Sequence, residues 1–344
     1  MRALVKESIE PGHFSMHDLP MPIPGKDQVR IKIVRAGICQ TDWVYINQGG
    51  FALKPPVVLG HEIAGYVDEV GEGVEGFEIG QRVLTQTTYH VCGKCRFCKQ
   101  GLYNHCAERK GLGSAQNGGF AEYVITWKGS VMPLPEEVTF DQAACVEPMA
   151  CGVHAMAERC PVFANDVVVV MGPGTIGLGV AQVAKAQGGI VVVAGLTSDR
   201  SRLDVALEMG IDRVVDIQTE DLEAIVKEMT DGFGADVVVE ATGNVNAVET
   251  ALKVVRRRGR FVPMGVFTTK IELDFHMIKK KELDVYGSHA QVPTAWETTL
   301  KMLQNGKLST DKIVTHVFPL TDWEKAFETV SKKEGIKILL DPTK

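Results

Sequence analysis

The chain has 344 residues, 43 of them acidic against 37 Lys and Arg, giving a formal charge of −6, with 45% apolar residues, 8 Cys and 35 Gly. At roughly 150 residues per domain this length predicts about two domains, each able to bury a core. Mild acidity without basic runs argues against nucleic acid or an anionic membrane as the principal partner.

The first residues, Met1-Arg2-Ala3-Leu4-Val5-Lys6-Glu7, meet charge too early for the apolar core of a signal peptide. Over 28–35, Val29, Ile31 and Ile33 alternate with Arg30 and Lys32, and Pro-Gly and Gly-Glu-Gly turns recur up to Gly80. That pattern predicts short antiparallel strands with one wet face. From 161 to 288 the pattern changes to short apolar β-branched runs at 167–171, 190–194, 236–240 and 260–264. Helical stretches follow them at 175–187, 200–209, 222–229 and 246–255. Strands covered on both faces by helices read this way, so a doubly wound parallel sheet is expected. Arg256-Arg257-Arg258 is read as a solvated helix end, where cations suit the helix dipole. A further helix is expected at 295–303, with the tail returning to the first domain.

The longest apolar run, 167–184, contains Pro173 and glycines 172, 174, 177 and 179 and is followed by Lys185. These residues break an isolated membrane span, so the expectation is a soluble, cytoplasmic protein. Four Cys crowd into one segment while Cys39, Cys145, Cys151 and Cys160 lie apart, a usage that points to metal rather than disulfides.

Gly172-Pro173-Gly174-Thr175-Ile176-Gly177 follows the first parallel strand and opens a helix. Gly172 permits the tight turn, Gly174 lets backbone amides approach a pyrophosphate, and Gly177 lets helix and strand pack; the helix N-terminus attracts the anion. Gly172, Gly174, Thr175, Ile176 and Gly177 are therefore candidate dinucleotide-binding residues, the alternative being a glycine-rich turn without a ligand. The second parallel strand has no carboxylate at its tip. Gly195 leaves space there, Thr197 and Ser198 offer hydroxyls, and Arg200 or Arg202 suits the 2′-phosphate of NADP; Asp199 reaching the ribose would favour NAD. NAD and NADP both stay open.

Cys92, Cys95, Cys98 and Cys106 form C-x2-C-x2-C-x7-C in a segment poor in core residues. Four close thiolates suit a tetrahedral structural zinc that folds its own loop. An iron–sulfur cluster is the alternative, although ferredoxin spacing wants a shorter last gap and Pro where Ala107 stands. A second set is scattered: Cys39, the pair His61-Glu62 and Glu147 together offer thiolate, imidazole and carboxylate, the mixed donors of a catalytic zinc.

These motifs resemble the zinc-dependent medium-chain alcohol and polyol dehydrogenases over nearly the whole chain. The resemblance rests on Gly37-Ile38-Cys39-Gln40-Thr41-Asp42, Gly60-His61-Glu62, the four-Cys loop, Gly119-Phe120-Ala121-Glu122-Tyr123, Glu147-Pro148 and the glycine loop at 172–177. It implies an α/β protein: an irregular β-barrel catalytic domain from 1–150 and 290–344 with a zinc lobe at 88–110, plus a Rossmann domain at 151–289. It further implies Cys39, His61 and Glu62 or Glu147 as catalytic zinc ligands, Asp42 orienting His61, Thr41 taking the substrate proton, and one catalytic and one structural zinc per subunit. The implied reaction is hydride transfer between NAD(P) and a secondary alcohol of a polyol or polyol phosphate, in a homodimer or homotetramer.

Glu147 in place of a second Cys is similar to the sorbitol and threonine dehydrogenase branch, and several stretches look most like pentitol-phosphate dehydrogenases such as that of D-arabitol phosphate. L-threonine 3-dehydrogenase is the nearest rival activity. A non-catalytic nucleotide-binding relative is the distant one, and would be expected to have lost Cys39 or His61. Where many relatives carry a proton-relay His five residues after the catalytic Cys, this chain has Val44. Trp43, Tyr45 and Phe51 are candidates for either core or pocket wall, His90 for a structural role beside the zinc loop. Arg109, Lys110 and Arg35 are candidates to meet a substrate phosphate.

Overall fold

The structure, a computed structural model, describes residues 1–50 and 53–344; the candidate pocket-wall residue Phe51 lies outside them. The chain divides into two compact units, Met1–Glu147 with Val292–Trp296 and Val314–Lys344, and Pro148–Gln291 with Glu297–Ile313. The sequence placed everything from 290 onward in the first domain, whereas 297–313 groups with the second unit. Ser309 donates its backbone N–H to Gln182 Oε1 at 2.8 Å, and Lys312 pairs with Glu208, which ties this stretch there.

The first unit is built on strands β1 (Arg2–Lys6), β2 (Phe14–Asp18), β3 (Gln28–Gly37), β4 (Val57–Val58), β5 (Glu62–Val70), β6 (Arg82–Thr85), β7 (Thr88–His90), β8 (Lys110–Gly111), β9 (Tyr123–Trp127) and β10 (Val131–Pro133). Strand β3 pairs antiparallel with both β5 and β9. Its alternation works as the sequence implies: Val29, Ile31 and Ile33 are buried while Lys32 is exposed. Helix α1 (Gln40–Asn47) leaves the end of β3, and helices α2 (Phe140–Ala143) and α3 (Val146–Val153) follow β10.

The second unit holds β11 (Val167–Met171), β12 (Ile190–Gly195), β13 (Arg213–Asp216), β14 (Ala235–Glu240), β15 (Val255–Pro263) and β16 (Asp284–Val285) in the order β13-β12-β11-β14-β15-β16, paired in parallel throughout. Helices α4 (Thr175–Ala186), α5 (Arg200–Glu208), α6 (Leu222–Met229) and α7 (Val245–Val254) connect them. Strand order reverses between β11 and β14, the position at which such sheets bind ligands. The last strands, β17 (Val314–Pro319) and β18 (Lys337–Asp341), return to the first unit, where β18 pairs antiparallel with β3 through Leu340↔Ala36 and Leu339↔Gly37.

The expectation of a solvated helix end at Arg256-Arg257-Arg258 is corrected. Helix α7 stops at Val254, and the three arginines open β15, beside an irregularity in its pairing with β14. Arg256 Nε donates to Asp236 Oδ1 at 2.7 Å, a cross-strand ion pair that holds the start of β15 to β14, and Arg258 turns at φ +52° within the irregularity. Strands β13 and β16 escaped the sequence reading because one is flanked by charge and the other is only two residues long. Among the described residues no helix is long and apolar enough to cross a membrane.

Candidate catalytic and cofactor sites

Cys39 caps the N-terminus of α1, and its backbone N–H donates to Asp42 Oδ2 at 3.0 Å. Asp42 is fully buried; its other oxygen, Oδ1, accepts the Gly60 N–H at 3.3 Å and lies 3.5 Å from His61 Nδ1. The carboxylate thus ties the start of α1 to the turn that delivers His61. Gly60 is needed in that turn, because it sits at φ +87° and a Cβ there would lie 2.5 Å from the Phe120 ring. His61 and Glu62 then flank the entry to β5. Cys39, His61 and Glu62 each offer a ligand atom, all within 4.8 Å of one another. Burial lowers the His61 pKa, but the charges of Asp42 and Cys39 outweigh burial and hold the imidazole well above its ordinary value.

Glu62 is fully buried and packs so closely on β3 that a Cβ at Gly37 would fall 1.9 Å from its Oε2. Its partner was not foreseen. Lys337 of β18 donates to both Glu62 oxygens at 2.7 Å and to Ile38 O at 3.0 Å. Burial disfavours the ammonium and the Glu62 carboxylate overcomes it, so the Lys337 pKa is raised. The available signal was Lys337 heading the apolar run Ile338-Leu339-Leu340, since a charge in a buried strand requires a partner.

Glu147 is buried at the start of α3 but is not one of the three clustered donors. Thr41 and Tyr45 lie half-buried on α1 with Trp43 and Val44. Burial raises the Tyr45 phenol pKa against the opposing charge of His61, and Asp42, Cys39 and Arg109 also act on it. Of the phosphate candidates, Arg35 is occupied by Asp141 at 2.6 Å and Asp341 at 3.0 Å, and Lys110 is exposed on β8. Arg109 is half-buried against Thr87 and Thr88. His90 is exposed at the end of β7.

The four sulfurs of Cys92, Cys95, Cys98 and Cys106 also lie within 4.8 Å of one another. Backbone N–H groups point at them: Cys95 N–H at Cys92 Sγ and Cys98 N–H at Cys95 Sγ, both 3.4 Å, and Cys92 N–H at Cys106 Sγ, 3.5 Å. Backbone donors at Lys94 and Cys95 lower the Cys92 pKa to about 7, while burial pushes Cys98 up to about 12.

In the second unit Gly172 turns at φ +102°, and a Cβ at Gly177 would fall 1.9 Å from Gly172 O, so both positions require glycine. A Cβ at Gly174 meets nothing within 4 Å, leaving the N-terminus of α4 open on that side. Thr175 and Ile176 form its first turn. At the tip of β12, Asp199 turns back on its own loop, accepting the Leu196 N–H at 3.1 Å and lying 3.7 Å from Arg202. Arg200 pairs with Asp204, Ser198 is exposed, and Thr197 donates to Asp216 Oδ2 at 2.7 Å. Asp216, at the end of the neighbouring β13, was not foreseen as part of this corner.

Residues 25–136 match the alcohol dehydrogenase GroES-like domain family, and residues 175–305 match the zinc-binding dehydrogenase family. The chain belongs to the zinc-binding medium-chain alcohol dehydrogenases. It is 44% identical to sorbitol dehydrogenase of Halalkalibacterium halodurans and 39% identical to D-arabitol-phosphate dehydrogenase of Enterococcus avium, covering 99% of this chain in both cases and 99% and 97% of those proteins. It is also similar to the crystal structure of 2R,3R-butanediol dehydrogenase from Bacillus subtilis, with TM-score 0.89, 30% identity and 99% of each chain covered.

As a member of this zinc-binding dehydrogenase family, the chain is an oxidoreductase that uses zinc and NAD(P), and its donor sets fit both. A tetrahedron with Zn–S distances of about 2.3 Å has edges of about 3.8 Å. Cys92 Sγ and Cys98 Sγ are 3.8 Å apart. Four sulfurs this close enclose room for one ion rather than an iron–sulfur cluster. Thiol, imidazole and carboxylate at the other set are the mixed donors of an open zinc site, and the glycine loop with its unobstructed helix N-terminus suits a pyrophosphate.

Proposed function

We propose that this dehydrogenase oxidises a secondary hydroxyl of a polyol, free or phosphorylated, to the ketose, and runs in reverse as a ketose reductase. The observation that carries this reading is the convergence of Cys39, His61 and Glu62 beside Thr41 and Asp42 at the head of α1. The names of the relatives, sorbitol and D-arabitol-phosphate dehydrogenases, support the substrate class.

Cys39, His61 and Glu62 would hold the catalytic zinc, with Glu147 as the alternative carboxylate, and Cys92, Cys95, Cys98 and Cys106 the structural one. When bound, the catalytic zinc supplies Lewis-acid polarisation of the substrate oxygen and the dinucleotide supplies the hydride acceptor. The chain's own residues do the rest. Thr41 Oγ1 takes the substrate proton, and Asp42 fixes the direction of the His61 ring. Val44 has no titratable group, so the onward path from Thr41 is water, and a bound dinucleotide would add a ribose hydroxyl as an alternative. Gly172, Gly174, Thr175, Ile176 and Gly177 would receive the pyrophosphate at the head of α4. Thr197, Ser198, Arg200 and Arg202 would line the adenosine ribose corner. With Asp199 folded back on its own turn, the corner presents no acid at the tip of β12, which favours use of NADP alongside NAD.

In this reading the first unit is the catalytic domain and the second the dinucleotide-binding domain of a cytoplasmic homodimer or homotetramer. The test is ketose reduction with D-xylulose and D-xylulose 5-phosphate, each with NADH and NADPH, against L-threonine oxidation. A rate on either ketose supports the reading. Activity on L-threonine alone overturns it in favour of the threonine dehydrogenase alternative, and no turnover by zinc-loaded protein in either assay would return the non-catalytic alternative.

A further inference from the structure

Arg109 stands immediately before β8, which pairs with β7 through Thr88↔Gly111. Its Nε donates to Thr88 Oγ1 at 3.1 Å and its Nη2 to Thr87 Oγ1 at 2.8 Å, and both threonines are buried. A guanidinium has five N–H donors; two are used in this way, and the other three have no acceptor among the described residues. No carboxylate among the described residues stands within ion-pairing distance of it, although the Glu147 charge acts on it from farther away. A half-buried cation hydrogen-bonded only to neutral hydroxyls keeps much of its desolvation cost, which an incoming anion relieves.

The position is next to the candidate catalytic set. The turn that follows Arg109 is pressed on the turn bearing His61: a Cβ at Gly113 would lie 2.7 Å from Gly60 O, and one at Gly118 only 1.9 Å from it. Tyr45 on α1 feels the charges of His61, Asp42 and Cys39 and also that of Arg109. The alternatives are spent, since Arg35 is doubly ion-paired and Lys110 is exposed.

We propose that Arg109, braced by Thr87 and Thr88, seats the phosphate of a phosphorylated polyol or ketose and makes this enzyme selective for the phosphorylated substrate. The inference rests on the polyol reading and deepens it. A phosphate monoester suits the site better than a carboxylate. Its near-dianionic charge and three acceptor oxygens match the three open N–H groups, and it competes better against Glu147 for the guanidinium. The phosphate is held and not transferred, so no bond to it forms or breaks.

The experiment is steady-state ketose reduction by the zinc-loaded enzyme at saturating cofactor, comparing wild type, R109Q and R109K on D-xylulose 5-phosphate and D-xylulose. Wild type is expected to favour the phosphorylated ketose. R109Q should lower the ratio of the two kcat/KM values by a factor of about 10–100, the range for a hydrogen bond to a charged group, mainly through KM. R109K, which keeps the charge but not the fork, should fall between them. Inorganic phosphate should inhibit D-xylulose reduction competitively in wild type, and less so in R109Q; this wild-type measurement decides the matter even where R109Q fails to fold. Equal use of both ketoses without phosphate inhibition overturns the phosphate seat and leaves the polyol reading standing. L-threonine oxidation lost specifically in R109Q also overturns it, by making Arg109 a carboxylate site. No rate on either ketose overturns the polyol reading itself.

Discussion

Lys337 and Glu62 stand 275 residues apart in the sequence and meet with the ammonium 2.7 Å from both carboxylate oxygens, in a pocket where Glu62 is fully buried and Lys337 nearly so. The pair links the last strand of the chain to the candidate metal ligands. Breaking a buried ion pair leaves an uncompensated charge and costs about 3–5 kcal/mol. The substitution K337M should therefore lower the melting temperature of the metal-free protein, and the double variant K337M/E62Q should recover much of the loss. Because the Lys337 pKa is raised in the fold, its contribution is complete at every pH below its unfolded value of about 10.4 and is lost only as pH climbs through the higher folded value. K337M melting like wild type across neutral pH would remove the pair from the stability of this unit.

Cys39 is the second test. Its thiol belongs to the first unit and the glycine loop to the second, so C39S should separate chemistry from cofactor binding. Loss of a direct ligand should exceed the 10- to 100-fold typical of losing a group behind a ligand, so activity should fall at least about 100-fold. NADPH binding, followed by its fluorescence, should be unchanged. Near-normal turnover in C39S would falsify the assignment of Cys39 to the catalytic metal.

Much of this was legible because the signals are local. Four cysteines within fifteen residues and a glycine loop between a strand and a helix declare themselves, since turn geometry and ligand spacing are set by neighbours in sequence. The candidate catalytic set is not local: Cys39, His61 and Glu62 converge only because β3 and β5 pair and Asp42 ties the two turns together. Resemblance supplied that grouping, which periodicity could not. Lys337 was missed for the same reason, its partner being at the other end of the chain. Arg256-Arg257-Arg258 was misread because helix propensity carries no information about the cross-strand pull of Asp236.

The four-Cys lobe should behave as a folding element. Its two short 3-10 turns at Cys98–Gln100 and Tyr103–His105 bury few residues of their own, so the metal takes the place of a core. C95S should release one zinc per chain on metal analysis. A loss of about 4 kcal/mol, at the large end for a single substitution as metal loss allows, corresponds to a melting temperature lower by roughly 8–16 °C for a unit of this size. Unchanged melting with one metal fewer would show the lobe to be stable without its ion.

Two glycines in one loop should give opposite results. A Cβ at Gly177 would sit 1.9 Å from the backbone oxygen of Gly172, whereas one at Gly174 meets no atom within 4 Å. G177A must push α4 away from the end of β11, at about 1–3 kcal/mol for an overpacked site, so both thermal stability and dinucleotide affinity should fall. Gly174 has ordinary extended backbone angles, φ −81° and ψ −179°, so G174A should melt like wild type. Its methyl group would nevertheless project into the open face at the head of α4, where a pyrophosphate would approach. The dissociation constant for NADPH should therefore rise in G174A while stability does not, at about tenfold for each 1.4 kcal/mol lost. Titration calorimetry alongside thermal melts separates the two cases, and equal dinucleotide affinity in G174A and wild type would move the pyrophosphate away from this loop.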